Sequence, residues 1–196
     1  MLISLKALID NMEEGNELLN QFLSSFSCSN DEDIETFLHI RAVEFEKLSK
    51  ARTYLIVDEE ELMNNDFENV TIYGYVSVAL KTLTIPDDYS NRKRLELDGF
   101  SAKFHGDPIR EIPCYLIGQL ARNSNVTKES VSGMQLIEFA LQVIAKSVES
   151  VGGRYVMIEC HDNEKLIGFY NANMFTEISR IPDNENTMVQ MIRKIC

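Results

Sequence analysis

Pro113-Cys114-Tyr115-Leu116-Ile117-Gly118-Gln119-Leu120-Ala121 is the stretch that decides the fold. Its near-continuous apolar character reads as a strand at the buried centre of a sheet, covered on both faces rather than one. A polar loop, residues 123–132, leads into a helix whose stripe is Leu136, Ile137, Ala140, Leu141, Ile144 and Val148. Gly152-Gly153 stops that helix, Arg154 to Cys160 gives the next strand, and Asp162 or Asn163 caps a short helix through Tyr170. This order puts the amino end of the helix that begins near Ser132 at the carboxyl end of the central strand. Outward-pointing N–H groups and the positive end of the helix dipole make such a place an anion site. Gly133 in the loop, with Lys128 and Arg122 as cationic supplements, fits a phosphate ligand.

Upstream, Leu2 to Leu5 reads as a strand or short helix, and Glu13 to Phe26 as a helix carrying Leu18, Leu19, Phe22 and Leu23. Ser29-Asn30-Asp31-Glu32 has the form of a capping box before a stripe of Ile34, Phe37, Leu38, Ala42, Phe45 and Leu48. Thr53 to Val57 and Thr71 to Leu83 are β-branched and aromatic, and read as an antiparallel pair joined by the acidic, Asn-rich stretch Asp58 to Asn69. Pro86 to Ile112 is rich in turn residues and carries the basic triplet Arg92-Lys93-Arg94; it reads as a long exposed connection with one short helix. Downstream, Met188 to Ile195 reads as a last strand. No repeat or linker divides the chain, so a single domain over residues 1–196 is expected.

With 196 residues, 44% of them apolar, the chain has the material for a proper core. The net charge of −12 argues against a protein that coats duplex DNA. Residues 1–70 hold 5 basic and 16 acidic side chains, so most of the excess lies in the first third. Cys28, Cys114, Cys160 and Cys196 are widely spaced without a C-x-x-C pair, which predicts reduced thiols in a cytoplasmic protein and no metal site. The apolar runs are too short to span a bilayer, and no signal peptide is evident, so no membrane association is expected.

Tyr115 to Arg122, Ser132 to Leu141, Met157 to Asn163 and Gly168 to Phe175 together resemble the acyl-coenzyme A half of the GNAT-superfamily N-acetyltransferases. The last two pieces are similar to the signature D-N-x-x-x-x-x-F-Y-x-x-x-x-F, read here as Asp162-Asn163, Phe169-Tyr170 and Phe175. Phe26-Ser27-Cys28, Thr53 to Val57 and Tyr73-Gly74-Tyr75 resemble a bacterial and phage branch that includes toxin-like enzymes acetylating aminoacyl-tRNA. The resemblance implies an α/β GNAT-like fold, a mixed and mostly antiparallel twisted sheet flanked by helices, with acetyl-coenzyme A as donor substrate. It places Tyr170 as the catalytic tyrosine and Gln119, Leu120, Ala121, Arg122, Lys128, Val131, Ser132, Gly133, Met134 and Asn163 around the cofactor. The family's pyrophosphate loop is Q/R-x-x-G-x-G/A, where this chain has Lys128-Glu129-Ser130-Val131-Ser132-Gly133. A Cβ at the central glycine position is expected to loosen the grip on an anion, so Val131→Gly is expected to tighten it.

Acetyl transfer to an amine needs a neutral amine, donors for the tetrahedral oxyanion, and a proton for the departing thiolate. The backbone N–H near Leu120 suits the second role and the Tyr170 phenol the third. Glu159, His161 and Glu111 are candidate bases, each weighed against an ordinary solvated or structural role. The expected acceptor is a primary amine on a protein, peptide or small molecule. A tRNA acceptor gains from the branch resemblance and the basic triplet, and is disfavoured by the net charge. A non-catalytic acyl-coenzyme A binder is the rival from another class, and a homodimer is compatible with either.

Overall fold

A computed structural model describes residues 1–11, 17–64, 69–183 and 186–195. In chain order the elements are β1 (Leu2–Ser4), α1 (Leu5–Asn11), α2 (Glu17–Ser24), α3 (Glu32–Thr36), a π-helical turn (Phe37–Arg41) and α4 (Ala42–Lys47). Next come β2 (Arg52–Val57), α5 (Glu59–Asn64), β3 (Ile72–Thr84), α6 (Asn91–Asp98), β4 (Lys103–Phe104), β5 (Asp107–Pro108) and β6 (Glu111–Arg122). The chain continues through α7 (Gly133–Val151), β7 (Tyr155–His161), α8 (Glu164–Ala172), β8 (Thr176–Asp183) and β9 (Asn186–Lys194). Residues 13–16 of the expected first helix, residues 65–68 of the acidic stretch, and Cys196 lie outside the described residues.

Among the described residues, hydrogen bonding orders a seven-stranded sheet as β1-β2-β3-β6-β7-β9-β8. β6 and β7 run parallel, pairing Tyr115 with Val156 and Leu116 with Met157, with α7 as the crossover that a parallel pair requires. β1–β2, β2–β3, β7–β9 and β8–β9 pair antiparallel. The expected mixed, mostly antiparallel sheet flanked by helices is therefore what the chain forms. Among the described residues no helix is long and apolar enough to cross a membrane.

By its internal contacts the chain divides into two compact units: residues 1–79 with 117–149, and residues 80–116 with 150–196. The first unit packs its helices through Phe22, Leu23, Phe26 and Leu38 onto Leu55, Tyr75 and Ala121 of the strands. Each buried Leu or Phe side chain among these contributes roughly 1.5–3 kcal/mol. Tyr75 meets Phe26 edge to face at 5.1 Å, and its hydroxyl donates to the Ile34 carbonyl at 2.6 Å. The second unit closes over Leu83, Ile85, Leu97, Cys114, Tyr155, Met157, Ile178 and Ile192.

Four local expectations are corrected. The cap before α3 is Asp31, whose carboxylate accepts from the Asp33 and Ile34 N–H groups; Ser29 instead bonds Ser124. The π-helical turn adds a residue to the helical repeat, so Leu48 is exposed and Glu46 takes the buried position. Arg94 is only 4% exposed and belongs to the interior of the second unit rather than to a basic surface. β8 was not expected from its sequence: at the end of the sheet order, with Pro182 and charged residues, it has an edge strand's composition rather than a core strand's.

Candidate functional site

In the first unit the carboxyl end of β6 is held against β3 by a close backbone approach. A Cβ on Gly74 would lie 2.7 Å from the Ala121 carbonyl oxygen and 3.0 Å from the Leu136 side chain, so only glycine fits there. Ala121 is buried, while Gln119, Leu120 and Arg122 are half-buried. Asn123, 2% exposed, then ties three segments together. Its N–H donates to the Tyr73 carbonyl (2.9 Å), its Nδ2 to the Ile72 carbonyl (2.8 Å), and its Oδ1 accepts from Ser27 and Asn125. Ser124 extends the clasp through its N–H to the Ser27 carbonyl and its hydroxyl to Ser29. The segment 27–29 is thereby fixed beside the loop that follows β6, a relation between distant residues that no local pattern displays.

That loop delivers Ser132 to the amino end of α7 as one half of a capping box. The Ser132 hydroxyl accepts the Gln135 N–H (3.2 Å) while the Gln135 side chain accepts the Ser132 N–H (2.8 Å). Gly133 and Met134, the intervening residues, have N–H groups without a partner among the described residues, and Met134 is 57% exposed. The unspent donors of the helix thus stand at Gly133 and Met134. Val131 is 1% exposed, so its branched side chain is turned away from solvent.

Charge around the loop is concentrated in three side chains. The Nε of Arg122 is buried and has no hydrogen-bond partner among the described residues, an orphaned cationic donor at the end of β6. Lys128 is exposed. Glu129 receives hydrogen bonds from its own N–H and from the Thr127 hydroxyl, and with Arg122 and Lys128 nearby its carboxyl is held below the usual carboxylate range. Orphaned guanidinium, free helix N–H groups and a lysine are the donors a diphosphate group requires, so the residues present fit it.

In the second unit α8 is capped by Asn163, whose Oδ1 accepts from the Lys165 and Leu166 N–H groups and whose Nδ2 has no partner among the described residues. Tyr170 lies late in α8, half-buried between Phe169 (ring centroids 5.1 Å) and Phe175 (5.7 Å), and its carbonyl accepts the Phe175 N–H. Among the described residues its hydroxyl has no hydrogen-bond partner. Burial, and to a lesser extent nearby Cys160, push the phenol up to about 12.

The base candidates are not brought to a common point. Glu159 is engaged by Lys81 (2.6 Å) and Gln190 (2.7 Å), while His161 and Glu111 are exposed. Cys28, Cys114 and Cys160 are free and buried, and burial raises all three thiols, Cys114 to about 11. Thiols so shifted are not nucleophiles at neutral pH. Among the described residues no cluster of three or more His, Cys, Asp or Glu could hold a metal ion.

No protein-family model matches the chain, and no curated protein matches its sequence. Solved structures do match its fold. AtaT complexed with acetyl-methionyl-tRNAfMet is 21% identical with a TM-score of 0.61, the match covering 85% of each chain. AtaTR bound with AcCoA is 19% identical with a TM-score of 0.64, covering 97% of this chain and 91% of that one. A tyrosine-to-phenylalanine mutant of KacT is 19% identical with a TM-score of 0.61, covering 86% and 85%. The chain has a GNAT-like fold. The expectation drawn from residues 115–175 is thus met at the level of architecture.

Proposed function

We propose that the protein is an N-acetyltransferase that moves the acetyl group of acetyl-coenzyme A to a primary amine, with residues 1–196 acting as one acetyltransferase domain. The observation that carries this reading is the amino end of α7, where Gly133 and Met134 have N–H groups without a partner among the described residues, after a loop that carries Lys128 and follows the orphaned Nε of Arg122 at the end of β6, in a chain with a GNAT-like fold. Those groups hold the diphosphate. In this reading the backbone N–H near Leu120 takes up charge as it develops on the thioester oxygen. The amine nitrogen attacks the carbonyl carbon, the carbon–sulfur bond breaks, and the Tyr170 hydroxyl supplies a proton to the sulfur and is reprotonated from solvent. The ammonium proton leaves to solvent, because Glu159 is already paired and His161 and Glu111 are solvated.

The fold likeness to AtaT in complex with acetyl-methionyl-tRNAfMet favours a second reading, in which the amine belongs to an aminoacyl-tRNA. The net charge of −12 and the burial of Arg94 weigh against it. Thermal shift with acetyl-coenzyme A, followed by thiol release over a panel of peptides, small amines and aminoacyl-tRNAs, tests both. Stabilisation should grow with ligand concentration by mass action, and no shift at millimolar acetyl-coenzyme A removes the acetyltransferase reading. A tRNA substrate should bind with an affinity that falls steeply with salt, and Arg92→Ala should flatten that slope.

A further inference from the structure

The loop from Asn123 to Ser132 follows directly on Arg122 and joins the end of β6 to the capped start of α7. Among the described residues, every hydrogen bond from residues 123–130 to the rest of the chain runs through Asn123 or Ser124. The other bonds of this stretch are internal, such as the Val126 N–H to the Asn123 carbonyl and the Ser130 N–H to the Thr127 carbonyl, both at 3.3 Å. Thr127 to Ser130 are exposed, and the loop is next buried at Val131. The segment that Asn123 and Ser124 grip is itself held from the other side. Glu35 Oε2 accepts the Cys28 N–H at 2.6 Å and the Ser27 hydroxyl at 3.1 Å. Lys128 therefore takes its place from this clasp upstream and from Val131 and the Ser132 cap downstream.

We propose that Asn123 is a positioning residue for the phosphate-binding loop, acting through the backbone on either side to set where Arg122 and Lys128 stand when the diphosphate of coenzyme A arrives. This rests on the acetyltransferase reading and adds a residue on which the loop's affinity for phosphate depends. Asn123 is uncharged and 2% exposed, with its side-chain oxygen and nitrogen both bonded inside the protein, so its effect on a ligand is indirect. That effect is preorganisation: a loop that holds the binding geometry part of the time binds with an affinity reduced by that fraction. A loop released at one end and competent about a tenth of the time loses about tenfold. A ligand without phosphate draws nothing from the loop's cations and does not register the change.

Isothermal titration of the whole protein with coenzyme A, and with pantetheine as the phosphate-free control, reads this directly. Asn123→Ala deletes the side-chain bonds to Ile72, Ser27 and Asn125. Ser124→Ala, at an exposed position, deletes only the hydroxyl that bonds Ser29. Coenzyme A should bind about tenfold more weakly to Asn123→Ala and about threefold more weakly to Ser124→Ala, with pantetheine affinity unchanged in both. A purely structural role would lower the melting temperature without separating the two ligands. Wild-type coenzyme A affinity in a folded Asn123→Ala overturns this proposal alone; if that variant does not fold, unchanged binding by Ser124→Ala does so. A loss that appears equally with pantetheine overturns it too, because the effect is then not on phosphate. If the wild type does not bind coenzyme A at millimolar concentration, the acetyltransferase reading fails and takes the proposal with it.

Discussion

Arg94 donates from Nη1 to the Ile109 carbonyl at 2.6 Å, fastening α6 to the far end of the connection that contains it. Its Nη2 reaches the Pro86 and Asp87 carbonyls and its Nε the Tyr89 carbonyl, so one buried guanidinium organises the segment from Pro86 to Ile109. An arginine serving four carbonyls acts as a staple, because backbone acceptors in a buried irregular segment have no ladder to satisfy them. Arg92, two residues away, is exposed.

Arg94→Ala should therefore lower stability by about 3 kcal/mol, the consequence of leaving several buried carbonyls without a donor. Arg92→Ala should stay within about 0.5 kcal/mol of the wild type. Urea unfolding followed by circular dichroism distinguishes the two, and an unchanged midpoint for Arg94→Ala contradicts the staple.

Val131→Gly should destabilise the protein by about 2 kcal/mol, combining the loss of a buried branched side chain with the added freedom of glycine in the unfolded chain. Coenzyme A affinity should not improve, since the side chain is already turned from solvent. The comparison of loop motifs predicts the opposite sign, so a calorimetric titration of this variant decides between motif and geometry.

What could be read in the sequence follows from the range of the interactions involved. The strand at 113–121, the helix behind it and the cap at Asn163 depend on neighbours a few residues apart, and periodicity displays them. The position of Cys114 and Cys160 in buried strands was legible in the same way. Three features were not. Arg94 is held by carbonyls up to 15 residues away, Asn123 joins Ser27 from 96 residues away, and the π-helical turn re-phases a stripe that reads as regular. Val131 shows that a motif position gives a residue's place in a loop but not the direction of its side chain.

Alkaline pH should destabilise the protein early. Cys114 is raised from 9.0 to about 11 and Tyr170 from 10.0 to about 12, so the native state keeps both protons at pH values where the unfolded chain has lost them. The stabilisation linked to these groups is complete below about pH 9 and is lost as pH rises through 11 and then 12. Melting temperatures measured from pH 8 to 11.5 should fall from about pH 9 onward. Cys114→Ala should remove the earlier part of that fall.

Tyr170→Phe keeps the ring that packs between Phe169 and Phe175 and deletes only the hydroxyl, which has no partner among the described residues. Folding and coenzyme A affinity should therefore change little. The phenol at about 12 is fully protonated throughout the assay range, so Tyr170 should add no limb of its own to the pH–rate profile below pH 11. A phenol that weak as an acid lies about 3.5 units above an ordinary thiol near 8.5, which makes complete transfer to a free thiolate uphill by about 5 kcal/mol. The proton must then move in concert with cleavage of the carbon–sulfur bond, as the hydroxyl hydrogen-bonds the sulfur while its charge develops. We expect kcat to fall by about 10²- to 10³-fold with the apparent KM for acetyl-coenzyme A nearly unchanged, the signature of an interaction made only in the transition state. Steady-state thiol release under chemistry-limited conditions measures both constants, and wild-type kcat in a folded, cofactor-binding variant would show that the proton comes from elsewhere.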